Sequence, residues 1–208
     1  MSTLSLALAL DFAGVAVFAA SGALSAGRQR LDLLGVLVIS VVTSLGGGTL
    51  RDLLLDRHPL FWITDTRYLL VSTLAALLTL LWVRRFPVPE RALLLADALG
   101  LALFTIMGAR IAARAGLGVP ISMMMGAITG AAGGVIRDVL SNDVPLILRR
   151  DLYATASLAG AGVYLRLREA LADPAPAIWA GLATVVALRL LAIHRGWRLP
   201  VFYWNDYR

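Results

Sequence analysis

The chain has 208 residues, 59% of them hydrophobic, a formal charge of +6 and no cysteine, and its mean hydropathy is +0.80. So apolar a composition excludes a soluble domain of this size, and the missing cysteine excludes disulfides and thiolate metal sites. All 19 basic residues are arginines, scattered near the ends of apolar stretches; that placement orients membrane spans and argues against nucleic acid as a partner.

The pattern predicts an all-α membrane protein, a single transmembrane domain over 1–208 with seven transmembrane helices, each near the roughly 20 residues that cross a bilayer core. The first, about 5–26, contains Asp11, and the first basic residue, Arg28, follows it. It therefore lacks the charged start of a cleaved signal peptide. The second, 33–56, carries Ser40, Thr43 and Ser44 and then the tract Gly46-Gly47-Gly48-Thr49-Leu50-Arg51-Asp52, before His58-Pro59. The third, 66–84, stops before Pro87 and Pro89, and the fourth, 91–112, carries Asp97. The fifth, 119–141, holds Thr129 and Ala132-Gly133-Gly134-Val135-Ile136-Arg137-Asp138, with Pro145 beyond it. The sixth covers 150–167, and Asp173-Pro174 opens the seventh, 175–194. The aromatic tail 197–204 reads as packing at the membrane surface.

The two glycine tracts belong to a longer repeat. Adding 86 maps Asp11 onto Asp97, Gly14 onto Gly100, Phe18 onto Phe104, Gly22 onto Gly108 and Thr43 onto Thr129. It also maps Gly47-Gly48 onto Gly133-Gly134, Arg51-Asp52 onto Arg137-Asp138 and Pro59 onto Pro145, without a gap. Repeat unit one is 5–84 and unit two is 91–167. Each holds three spans, and an odd number turns the second unit over, so the fold is an inverted 3+3 repeat plus one extra helix, 175–194. That helix has no counterpart and either closes the fold or makes an oligomer contact.

Glycine in a helix costs on the order of 1 kcal/mol relative to alanine, so helices 2 and 5 are expected to be glycine-kinked. Thr49-Leu50-Arg51-Asp52 has the pattern of a capping box that restarts a half-helix, with its positive end toward Asp52. Neighbouring residues on a helix face different ways, so Arg51 and Asp52 are not expected to pair; the repeat suggests Asp11 facing Arg51 and Asp97 facing Arg137. The expected ion path is thus Ser40, Thr43, Ser44, Gly46, Gly47, Gly48, Arg51, Asp52, Thr129, Gly133, Gly134, Arg137 and Asp138, with Asp11 and Asp97 as charge partners. Gly14, Gly22, Gly100, Gly108, Gly160, Gly162 and Gly181 suit close helix packing. His58 and His194 are isolated, so no metal site is expected. Met123, Met124 and Met125 suit irregular packing, and no nucleophile–base set marks an enzyme.

Six arginines fall on the side of the N-terminus and eleven on the side of the C-terminus, which places the C-terminus in the cytoplasm and the N-terminus outside, in a multi-pass inner (plasma) membrane protein. The doubled motif, with His58-Pro59-Leu60-Phe61-Trp62 after its first copy, resembles the bacterial trimeric intracellular cation channel (TRIC) family, a branch also labelled glycine-transporter-like. The resemblance implies a homotrimer with a pore in each protomer around the kinked helices, conducting monovalent cations, chiefly potassium, with no cofactor and with membrane lipids as surroundings. Ala132 stands where a third glycine would be. A secondary transporter of a small amino acid such as glycine is the alternative, since inverted repeats with broken helices also build carriers; a scaffold would leave the duplicated charges unexplained.

Overall fold

The protein, seen in a computed structural model, is described over residues 3–89, 91–148 and 152–196. The aromatic tail and Arg149, Arg150, Arg198 and Arg208 lie outside the described residues. The helices are α1 (Thr3–Arg28), α2 (Leu33–Leu54), the short α3 (Phe61–Thr64), α4 (Arg67–Arg85), α5 (Ala92–Arg114), α6 (Val119–Leu140), α7 (Ala154–Ala170) and α8 (Pro174–Arg195). The second and fifth spans of the sequence are therefore α2 and α6. Among the described residues, six helices are long and apolar enough to cross a membrane, and α7, at 17 residues, is the shortest of the seven long ones. The chain is a multi-pass membrane protein.

Local chemistry sets the helix ends. Asp32 caps α2, its carboxylate accepting from the Gly35 amide at 2.7 Å. Asp173 caps α8, with Pro174 in the first helical position, where a missing amide costs nothing. α1 ends in a left-handed residue, Arg30 (φ 57°), and α5 in Gly116 (φ 81°), 86 positions later. Both ends are Schellman caps: Leu31 donates to the Ala26 carbonyl and Leu117 to that of Ala112, each at 3.2 Å. α2 and α6 repeat the device at Asp56 (φ 50°) and Asn142 (φ 55°), where Arg57 donates to the Asp52 carbonyl and Asp143 to that of Asp138, each at 2.8 Å.

Arginine at a left-handed cap carries a Cβ penalty that glycine avoids. Arg30→Gly is expected to stabilise the protein by about 1 kcal/mol, read as a rise in Tm in detergent. A fall would mean that the Arg30 side chain makes a contact worth more than the backbone strain.

α1, α2 and α4 pack together, as do α5, α6 and α7, and the two units meet through α1 on α5 and α2 on α6. Phe18 and Phe104 stack at this junction, ring centroids 5.3 Å apart. Gly14 lies under Phe104 and Gly100 under Phe18, so two equivalent rings rest on two equivalent glycines. α8 packs against α5 and α7, where a Cβ on Gly181 would stand 2.7 Å from Ile106 and 2.9 Å from Tyr164. α4 shows the membrane logic plainly. Tyr68, Ser72 and Ala76, four apart, are buried, whereas Leu70, Leu74, Leu78 and Leu81 form an exposed apolar stripe.

Candidate functional site

The polar residues singled out in the sequence gather along α2 and α6. Ser40, Thr43, Ser44, Arg51, Asp52, Thr129, Arg137 and Asp138 are all buried. The two helices cross at their glycines. A Cβ on Gly47 would fall on the Thr129 carbonyl oxygen, and one on Gly133 would fall on the Thr43 carbonyl oxygen. Thr43 and Thr129 direct their hydroxyls to the Ile39 and Met125 carbonyls of their own helices, each at 2.6 Å. Ser40 bonds the Val36 carbonyl at 2.8 Å, and Ser44 meets the Ser72 hydroxyl of α4 at 2.8 Å. In this conformation the crossing is sealed.

The expected restart of a half-helix at Thr49 does not occur. α2 and α6 each run as one helix through their glycines. Thr49 bonds back to the Leu45 carbonyl at 2.8 Å and accepts from the Trp62 indole at 3.0 Å. The glycines serve close approach rather than interruption: with no side chain in the way, each helix lays its backbone on a carbonyl of the other.

The charge pairing also differs from the sequence expectation. Arg51 and Asp52 do pair, Nε and Nη2 each 2.8 Å from Oδ1, and Arg137 grips Asp138 with the same two contacts at 2.8 Å. Sequence neighbours leave the helix about 100° apart, but the long arginine side chain folds back across that angle. Burial favours the fold-back, because a carboxylate without water needs a charged donor. The second oxygen of each aspartate reaches the loop beyond the cap. Asp52 Oδ2 accepts from the Phe61 amide at 3.2 Å, and Asp138 Oδ2 accepts from the Leu146 amide at 2.9 Å.

Toward the other partners the halves diverge. Arg137 Nη1 is 2.8 Å from Asp97 Oδ1, in a pair fully shielded on both sides, and it also bonds the Ser21 hydroxyl. No ion pair joins Asp11 to Arg51 among the described residues. Asp11 Oδ2 accepts instead from the Tyr68 hydroxyl at 3.1 Å, and the Arg51 guanidinium stands 5.4 Å over the Phe61 ring. Tyr153 takes the place beside Asp97 that Tyr68 takes beside Asp11.

A polar cavity of about 480 Å³ opens on the first motif, lined by Asp52, Asp56, Arg57, His58, Asp65 and Tyr68 among others. Arg57 is half-exposed there and stands 3.4 Å from Asp52. Bonds from Arg67 hold the Asp65 carboxyl below its usual range, so this mouth keeps its negative charge at neutral pH. No group of three or more metal-ligating side chains occurs among the described residues.

Comparison with known proteins finds relatives over nearly the whole chain. The profile of a family described as "Glycine transporter" matches residues 8–84 and again 94–169, once in each half. The chain is 43% identical to the UPF0126 inner membrane protein YadS of Escherichia coli K12, over 93% of this chain and 94% of that one. A UPF0126 membrane protein of Deinococcus radiodurans is also 43% identical, over 92% and 90%. Among solved structures, the TRIC trimeric intracellular cation channel orthologue from Rhodobacter sphaeroides is 37% identical with a TM-score of 0.88, covering 92% of this chain and 99% of that one. A prokaryotic TRIC channel crystallised in 0.5 M KCl gives 30% and 0.88, over 95% and 100%. The chain belongs to the TRIC family. The profile matching once in each half accords with the 86-residue repeat, and α2 and α6 are the equivalent helices of the two matches.

Proposed function

We propose that this chain is a monovalent cation channel, chiefly for potassium, working as a homotrimer with one ion path in each protomer. The observation that carries the proposal is the pair of buried Arg-Asp motifs on inverted helices, set on either side of a crossing where Gly47 and Gly133 lie on the Thr129 and Thr43 carbonyls. Likeness to channels described as trimeric and cation-conducting supports it. The repeat units are taken as 5–84 and 91–167 with the extra helix 175–194, the N-terminus outside and the C-terminus cytoplasmic. On this reading the 480 Å³ cavity at Asp52 is the outer mouth, and Asp138 stands at the inner one.

A cation drawn in by the acidic groups meets the crossing. When α2 and α6 separate there, the Thr43 and Thr129 carbonyls lose the glycines that cover them and turn a second lone pair to the path. Those oxygens can replace part of the hydration shell of the ion. Arg51 and Arg137 limit the negative field so that the ion is not held.

A second reading, a carrier for a small amino acid, has the family description behind it, and an arginine at each end would suit a carboxylate substrate. Purified protein in planar bilayers separates the two. Unitary steps in potassium chloride are expected; saturable glycine uptake without unitary current would establish the carrier instead. Cysteine at Ser44 or Thr129, in this chain without native cysteine, is expected to react with water-soluble thiol reagents only while channels open. Absence of modification during recorded openings would move the path elsewhere.

A further inference from the structure

α8 carries an arginine that the site described above does not use. Arg189 is fully buried, and its Nε, Nη1 and Nη2 find no hydrogen-bond partner among the described residues. Its guanidinium carbon stands 4.7 Å over the Tyr153 ring. The Tyr153 hydroxyl in turn stands beside Asp97, whose Oδ2 is also buried without a partner. Three donor nitrogens of Arg189 and one carboxylate oxygen of Asp97 are thus left open around the same tyrosine.

Charge arithmetic across the repeat gives this arginine a purpose. At the first motif, Asp11 and Asp52 face Arg51 and Arg57, two negative charges against two positive. The position 86 beyond Arg57 is Asp143, so the second unit loses that arginine. Asp97 and Asp138 then face Arg137 alone, one negative charge in excess even before the exposed Asp143 at the Arg57 position is counted. α8 has no counterpart in the repeat, and Arg189 returns the missing charge from it. Arg57 does its work half in solvent, whereas Arg189 cannot snorkel out, since it lies about 9 Å along the axis from the end of α8.

We propose that Arg189 is a positioning residue for the inner motif: it balances Asp97, Arg137 and Asp138 across the Tyr153 ring and so sets the field at the inner end of the ion path. The inference deepens the channel reading and rests on it for its electrical readout. The extra helix is then a part of the conduction machinery, and no longer only a closing element or an oligomer contact.

The test compares wild type, Arg189→Lys, Arg189→Gln and Arg189→Gln/Asp97→Asn as purified full-length protein. Arg189→Gln leaves a buried negative charge unbalanced, so its Tm in detergent is expected to fall by roughly 5 °C or more. In bilayers its potassium-to-chloride permeability ratio is expected to rise about twofold at low salt, because the inner field turns more negative. Arg189→Lys keeps the charge and should hold the wild-type ratio. The double variant removes one charge of each sign and should recover both the ratio and most of the Tm. An Arg189→Gln protein equal to wild type in Tm and ratio, or a double variant no better than Arg189→Gln, overturns the inference. If wild type itself passes no unitary current, the channel reading fails and the two melting comparisons decide the balance of charge alone.

Discussion

Arg137→Met is expected to be the most damaging single substitution in the membrane interior. Arg137 makes the direct contacts that hold two carboxylates, Asp97 and Asp138, with no exposed surface of its own. Removing it leaves both without a direct ion-pair partner among the described residues, at a cost of about 3–5 kcal/mol. At roughly 2–4 °C per kcal/mol for a chain of this size, Tm should drop by about 6–20 °C. Arg51→Met should cost far less, about 1–2 kcal/mol, although the motif is the same. Asp52 keeps the half-exposed Arg57 and the Phe61 amide, and Asp11 keeps the Tyr68 hydroxyl. Melting curves of the two variants in one detergent test the difference. Equal losses would show that the divergence between the halves carries no energy.

Gly47→Ala is expected to act on opening itself. Alanine improves helix propensity by about 1 kcal/mol, so in an isolated helix it would stabilise. Here its Cβ falls on the Thr129 carbonyl oxygen, a backbone atom that no rotamer change can move aside. Overpacking of that kind costs about 1–3 kcal/mol, and the clash outweighs the propensity. It falls on the sealed crossing and is relieved when the helices part, so open probability in bilayers should rise while Tm falls. Gly133→Ala should behave alike, because it meets the Thr43 carbonyl in the same way. An unchanged or lower open probability in folded protein would place the gate away from this crossing.

The helices and their inverted order were legible from apolar stretches and from one register of 86. The Asp173-Pro174 turn lies where α8 begins. The Asp97–Arg137 pair was legible from the repeat alone, because two charges at matching depth in a membrane have few other partners. The Arg51–Asp52 bond was missed because helix periodicity counts only directions from the axis and ignores the reach of a long side chain. The restart at Thr49 was misread for a different reason. A glycine run shows that bulk is absent, but whether the space goes to a break or to a neighbour's carbonyl depends on the opposite helix. Tyr68 and Tyr153 had a signal that went unused: both stand at the start of the third span of their units, 85 positions apart. Arg189 was counted only among the arginines that set the orientation, yet an arginine six residues inside an apolar span is a charge in need of an explanation.

The stacked rings of Phe18 and Phe104 have a wider consequence. They are equivalent positions, and each leans on the glycine equivalent to the one beneath its partner. Two surfaces that match in this way are self-complementary, as when two identical subunits join about a twofold axis. The halves are therefore docked much as a homodimer would be, and the connection between α4 and α5 acts chiefly as a tether. A change at this seam is consequently met by its own mirror position, so the two copies are free to drift apart at their outer ends but not where they touch.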